Sequence, residues 1–521
     1  MVNKIVISVI IIFLIVSLTF AFSMSPTKDI KNTVINQKQK QKPVILITVD
    51  SLMSQSIQQA IQEKKAPAFS FLMKNGQFYP EAISSYPTMS VAIDSTLLTG
   101  TYADQHKIPG LIWFKKDENR IISYGSGISE IWSLGVKNVA YDGIVNLNKE
   151  HLSKNVQTIH EELSKDNIQS ASINGLLYRG TFHHQLNVPK LISAMGLLPS
   201  KIDTNGPSLL SLGTLSQYNP NNDRQKFAWK SMGVNNQFTV NELKFLIKHN
   251  KLPAFTLAYL PDADKDLHKK GPEYIEPIEK ADQYLQELLN SYSTWEEAIE
   301  QVIWIVHGDS SQSKIMKDKN TSLIDLNDIL KNYTFWESKK KNSEIAIAIN
   351  ERMAYINLIK ENIEISKIIE TLKKDNRIGF IAWKEGGTNY VISPQSDKNF
   401  TFSPNGTYKD LYNQSWKLDG DHSILDLEID NQGLIKYGDY PDALARLNGA
   451  LHSHEGQFII VDAKPNFEFI EKHSHNHAGG GAHGSLHKVD SLVPLIIAGT
   501  HEKPEYNRLV DIKKWIIKLT K

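Results

Sequence analysis

Val44-Ile45-Leu46-Ile47-Thr48-Val49-Asp50 is a run of β-branched and apolar residues that ends, without a spacer, in a carboxylate. An unbroken apolar run of this length is the pattern of a central parallel strand covered on both faces, not the alternation of a strand with one wet face. Runs of the same kind recur at 254–260, 302–306, 458–461 and 492–498, with helical patterns between them such as 54–75 and 274–292. Strands alternating with helices predict an α/β fold with an open, mostly parallel sheet and helices on both of its faces. In such sheets the ligand site lies beyond the carboxyl ends of the strands. Asp50, Asp264 and Asp309 all fall there.

The 521 residues suffice for one large α/β domain with insertions. Lys+Arg 58 against Asp+Glu 57 gives a net charge of +1, so no overall electrostatic footprint calls for a nucleic-acid polymer as partner. Cysteine is absent, which excludes disulfides, thiolate metal ligands and cysteine nucleophiles; any metal must be held by oxygen and imidazole. Residues 1–24 combine a basic start, an apolar stretch at 5–22 and a small-x-small site, the pattern of a signal peptide or membrane anchor. The expected location is outside the cytoplasm, secreted or anchored to the outer face of the cytoplasmic membrane. Residues 25–42 are a polar tether without apolar periodicity, and 43–521 form the folded part. Its stretch at about 313–454 has a different, loop-rich texture and is expected to be an inserted subdomain near the site.

Several segments place reactive side chains after the apolar runs. A carboxylate such as Asp50 at the end of a buried strand is costly unless a cation pairs with it, although Asp also caps helices at such turns. Tyr86-Pro87-Thr88-Met89-Ser90 opens a helical pattern, where a hydroxyl has the positive end of the helix dipole beside it; serine and threonine are also common caps. Asp264 and His268, four apart, can share one metal on a helical turn or in a tight loop, with Asp262 and Asp266 crowding the choice of acid. Among seven histidines between 452 and 487, His483 is the sharpest candidate because glycines flank it, whereas 473–477 has the look of an adventitious or regulatory metal-binding tract.

Taken in order, these segments resemble the alkaline phosphatase superfamily, and within it the type I phosphodiesterase/nucleotide pyrophosphatase branch, over residues 43 to about 499. The resemblance implies an alkaline-phosphatase-like three-layer sandwich and two divalent metal ions, Zn²⁺ above all. It matches Ser90 to the family nucleophile, with Thr88 as the fallback, and selects Asp264 over Asp262. It assigns Asp264, His268 and His483 to one metal and Asp50, Ser90 and Asp309 to the other. The family usually has Gly-Asp-His-Gly where this chain has Gly308-Asp309-Ser310-Ser311, so the imidazole of the second site is missing and Mg²⁺ or Mn²⁺ become alternatives there. The Asn that commonly follows the nucleophile is absent from Val91-Ala92-Ile93-Asp94. The implied activity is hydrolysis of a phosphoric ester in a phosphorylated small molecule or envelope substrate. The alternatives are a degenerate member that binds such a ligand without turnover, and a phosphotransferase or phosphonate hydrolase on the same scaffold.

Overall fold

Every residue of strand β1 (Val44–Val49) is buried, and successive side chains enter different cores. Ile45, Ile47 and Val49 pack with Ile57, Phe69, Leu243 and Leu285 on one face of the sheet; Val44 and Leu46 pack with Ile93, Leu97, Ile512 and Ile516 on the other. The period of two along the strand thus feeds two helical layers at once, which is why the sequence shows no polar alternation. Truncating one of these side chains, as in Ile47→Ala, costs about 2–5 kcal/mol. The computed structural model describes residue 28 and residues 41–125, 128–225, 228–338, 340 and 342–521. The apolar segment at 5–22 and nearly all of the tether lie outside the described residues. Among the described residues no helix is long and apolar enough to cross a membrane.

The central sheet has seven strands: β1, β2 (Gly76–Ile83), β3 (Ser170–Ile173), β4 (Leu209–Ser211), β5 (Phe255–Leu260), β6 (Ile303–Gly308) and β7 (Leu492–Ala498). Their spatial order is β2-β7-β6-β1-β5-β3-β4. β1 pairs in parallel with β5 and β6, while β7 runs antiparallel to both β2 and β6. The apolar run at 492–498 is therefore a buried strand of the expected sheet in the opposite direction. The helical pattern at 54–75 resolves into two helices, Ser54–Gln62 and Pro67–Lys74. Lys64 in the left-handed region ends the first, and Pro67 at the first position starts the second.

A second sheet of nine strands, almost all antiparallel, uses residues 345–463. The run at 458–461 belongs here and not in the central sheet: Gln457–Ala463 lies between Met353–Leu358 and Ile378–Glu385, antiparallel to each. Burial on both faces gives the same apolar run in either sheet, so the pattern reports depth and not partner or direction. The hairpin Ile345–Asn350/Met353–Leu358 carries its two-residue turn, Glu351-Arg352, to the loop at 483, where Arg352 N–H donates to the His483 carbonyl at 2.9 Å. The second sheet thereby supplies one wall over the strand ends of the first.

Candidate active site

Val49 stands in register with both Gly308 and Leu260, so the residues that follow β1, β6 and β5 emerge side by side. Asp50 N–H donates to the Leu260 carbonyl at 3.0 Å, and a Cβ on Gly308 would lie 2.3 Å from the Leu52 carbonyl oxygen. Only glycine permits that approach of the two chains. Asp50 accepts a hydrogen bond from the Tyr259 hydroxyl, and Asp309 Oδ1 accepts the N–H groups of Ser51 (2.9 Å) and Ser310 (2.7 Å). Asp50 Oδ1 and Asp309 Oδ2 are buried without a partner among the described residues. Burial, then the neighbouring Asp309 and Asp264 charges, push the Asp50 carboxyl well above the ordinary range. Two buried carboxylates, each with an unpaired oxygen, fit a divalent cation.

Asp264 and His268 lie on helix Asp262–Lys270, whose i,i+4 spacing brings His268 Nε2 to 3.0 Å from Asp264 Oδ1. His483 Nε2 approaches the same oxygen at 3.6 Å, and ligand atoms of the three residues lie within 4.8 Å of one another. Each imidazole is oriented from behind: His268 Nδ1 donates to the Gly481 carbonyl at 2.8 Å and His483 Nδ1 to the Thr88 carbonyl at 2.5 Å. That leaves both Nε2 atoms facing inward, the arrangement of metal-ligating histidines. Burial pushes the Asp264 carboxyl up, but the two imidazoles outweigh it and hold the group well below its usual value. Burial lowers His268 and His483, yet the Asp264 and Glu351 carboxylates raise them to about 10 and about 9.

Ser90 is the first residue of helix Ser90–Thr99, which has no side-chain cap. It lines a cleft of about 460 Å³ together with Tyr259, Asp264, His268, Glu351 and His483. Thr88 is fully buried, and its hydroxyl is committed to the Gly484 N–H at 2.6 Å. The two hydroxyl residues of the Tyr-Pro-Thr-Met-Ser segment are thus unequal: Ser90 lines the cleft, and the Thr88 hydroxyl fastens the His483 loop. Gly484, at φ 109°, is where that loop passes the Asn350 carbonyl, which a Cβ would meet at 2.1 Å. The close approach expected of a glycine beside His483 is here made to protein backbone.

Ser310 offers no imidazole; its hydroxyl lies 3.4 Å from Ser51 Oγ. His307 does not replace it, because Nδ1 donates to the Gly308 carbonyl (2.7 Å) and Nε2 engages Thr48 Oγ1 (2.9 Å). Several residues of the site escape a reading of the sequence. Ser51, at φ 56°, joins the two acid groups through its N–H to Asp309 and its hydroxyl to Asp264 Oδ1 (2.7 Å). Gln312 Nε2 donates to the same Asp264 oxygen at 2.9 Å. Glu351 sits among His268, His483 and His477, and those three imidazoles draw its carboxyl below the usual range against the effect of burial. His477, from the tract at 473–477, stacks on His268 with ring centroids 4.2 Å apart.

The mostly parallel sheet between two helical layers, with acids at the ends of neighbouring strands and a hydroxyl at a nearby helix start, has an alkaline-phosphatase-like fold. The model of the Type I phosphodiesterase / nucleotide pyrophosphatase family matches residues 44–486, and the chain belongs to that family of hydrolases acting on phosphoester bonds. Murine ectonucleotide pyrophosphatase/phosphodiesterase 5, solved in an inactive form in complex with AMP, is similar in structure with a TM-score of 0.54 at 13% identity, over 92% of this chain and 95% of that one. Phosphonoacetate hydrolase from Sinorhizobium meliloti 1021, in complex with phosphonoformate, is similar with a TM-score of 0.55 at 13% identity, over 94% of this chain and 99% of that one. At such identities the likeness concerns the fold. No curated protein matches the chain in sequence.

Proposed function

We propose that the protein is an exported, metal-dependent phosphoric ester hydrolase of the phosphodiesterase/pyrophosphatase type, with Ser90 as nucleophile and a phosphorylated small molecule or envelope component as substrate. The observation that carries this reading is the shared cleft: Ser90, at an uncapped helix start, lines the same space as Asp264, His268 and His483. Asp264, His268 and His483 would hold one cation, and Asp50 and Asp309, with their unpaired oxygens, a second. Bound there, divalent ions supply positive charge that lowers the pKa of the serine hydroxyl and steadies the leaving oxygen. Ser90 Oγ would attack phosphorus as the bond to the leaving oxygen breaks. The free N–H groups of the helix start suit the phosphoryl oxygens that result. Water then cleaves the phosphoserine and restores the hydroxyl. Tyr259 holds Asp50 in place, and Ser51 ties the two acid groups into one unit.

The test is turnover of nitrophenyl phosphomonoester and phosphodiester and of phosphonoacetate by purified protein with Zn²⁺, Mn²⁺ or Mg²⁺, alongside its metal content. Release of phosphate or nitrophenol that vanishes in Ser90→Ala supports the reading; cleavage of phosphonoacetate alone would move it to the phosphonate-hydrolase branch. One observation favours a non-catalytic binder: Ser310 stands where the imidazole is expected and both His307 nitrogens are engaged elsewhere. That reading expects no turnover with any of the three metals, even in Ser310→His. Export is tested separately, by fractionating cells that produce the full chain and a form lacking residues 1–24.

A further inference from the structure

Glu351 occupies the first of the two central positions of the hairpin between Ile345–Asn350 and Met353–Leu358, with φ 58°. A two-residue hairpin with positive φ at that position favours Gly or Asn, and a glutamate there is strained. The strained backbone delivers the carboxylate to the imidazoles. Glu351 Oε1 lies 3.6 Å from His268 Nε2 and 4.0 Å from His483 Nε2, the two nitrogens that face Asp264. Glu351 Oε2 accepts the His483 N–H at 2.9 Å and lies 4.0 Å from His477 Nδ1. On the far side, Glu468, itself 1% exposed, holds His477 Nδ1 at 2.9 Å, so His477 is fixed as a wall against the His268 ring.

We propose that Glu351 is a fourth protein ligand of the cation held by Asp264, His268 and His483, making a set of two carboxylates and two imidazoles around one ion. The proposal rests on the metal-centre reading given above. Glu351 Oε1 and Asp264 Oδ1 face the same two Nε2 atoms; two anionic oxygens and two neutral nitrogens are a donor set suited to Zn²⁺, and a fourth protein donor makes the ion harder to lose than a three-residue site would. Strong retention here complements the neighbouring Asp50/Asp309 pair, which has no imidazole.

The experiment uses the full purified chain, Zn²⁺ alone in competition with a chromophoric chelator, and the visible spectrum of the Co²⁺ form. Glu351→Asn suits the positive φ while its short amide cannot reach the imidazoles; Glu351→Gln keeps the length and removes the charge. Both variants should keep the far-ultraviolet circular dichroism of the parent, lose about tenfold or more in Zn²⁺ affinity, and change the intensity of the Co²⁺ d–d bands. If one variant fails to fold, the other decides. Affinity within about twofold of the parent with an unchanged Co²⁺ spectrum, while Asp264→Asn abolishes tight binding, would overturn the role of Glu351 alone. If Asp264→Asn also leaves Zn²⁺ binding intact, the metal centre itself is misassigned.

Discussion

The two hydroxyls of the Tyr86–Ser90 segment should separate cleanly into one that holds the fold and one that does chemistry. Thr88→Ala removes the acceptor of the buried Gly484 N–H, bonded at 2.6 Å, and takes a methyl group from a fully buried site. An orphaned buried N–H costs about 1–3 kcal/mol and the lost methyl about 1 kcal/mol, so the variant should lose about 2–4 kcal/mol. Ser90→Ala acts at a half-buried helix start with no cap to lose, and should stay within about 0.5 kcal/mol of the parent. Turnover should follow the opposite order. Removing the nucleophile is expected to cost about 10³-fold or more in kcat, whereas Thr88→Ala should retain activity wherever it is folded. Urea unfolding followed by tryptophan fluorescence gives the first quantity, and nitrophenol release in excess metal the second. Full activity in Ser90→Ala with complete loss in folded Thr88→Ala would refute the assignment and make Thr88 the nucleophile.

Protein purified without added metal should hold one tight ion, gain activity on added Zn²⁺ or Mn²⁺, and bind a second ion more strongly in Ser310→His, as read by metal analysis and chelator titration; two equally tight ions in the parent would contradict this. Arg352 is fully buried, paired with the equally buried Asp490 and bonded to the Ala463 carbonyl at 3.0 Å; Arg352→Ala should cost about 3–5 kcal/mol by leaving that carboxylate uncompensated, and an unfolding midpoint unchanged from the parent would count against the pair. Burial pushes the Asp462 carboxyl up from 3.8 to about 7. A carboxyl raised on folding contributes stability that is complete below its unfolded value and is lost as pH rises through the folded one. Stability should therefore fall by up to about 1 kcal/mol per pH unit between pH of about 4 and 7, and Asp462→Asn should flatten that slope in thermal melts, with Asp490, raised to about 6, sustaining part of it; an unchanged slope would show that Asp462 titrates normally.

Much of this molecule can be read before it is folded, and what can be read has a common cause. Continuous apolar runs mark strands buried on both faces, and a charged residue directly after such a run must sit at a sheet edge. That logic locates Asp50, Asp309 and the Asp262–Lys270 helix. It does not reveal that β7 is antiparallel or that 458–461 lies in the second sheet, since burial leaves the same trace whatever the partner. Glu351 gives no signal at all: its neighbours in sequence are an ordinary hairpin, and only the packing of one sheet over another brings its carboxylate to His268 and His483. Ser51 is hidden for a related reason, because its role depends on a left-handed backbone that serine adopts only under tertiary constraint.

The contact between Gly308 and the Leu52 carbonyl bears on how freely the rest of the chain can drift. The spacing of Asp50 and Asp309 is set by main chain against main chain, through the ladder of β1 with β6 and this one close approach. Methyl groups elsewhere in the two cores can then be exchanged at roughly constant volume without moving one acid relative to the other. The price falls on a single position: any side chain at 308 would wedge the strand from the turn after β1 and pull both acids out of register at once. Random mutagenesis scored for metal binding should therefore find the cores permissive and residue 308 closed to every replacement.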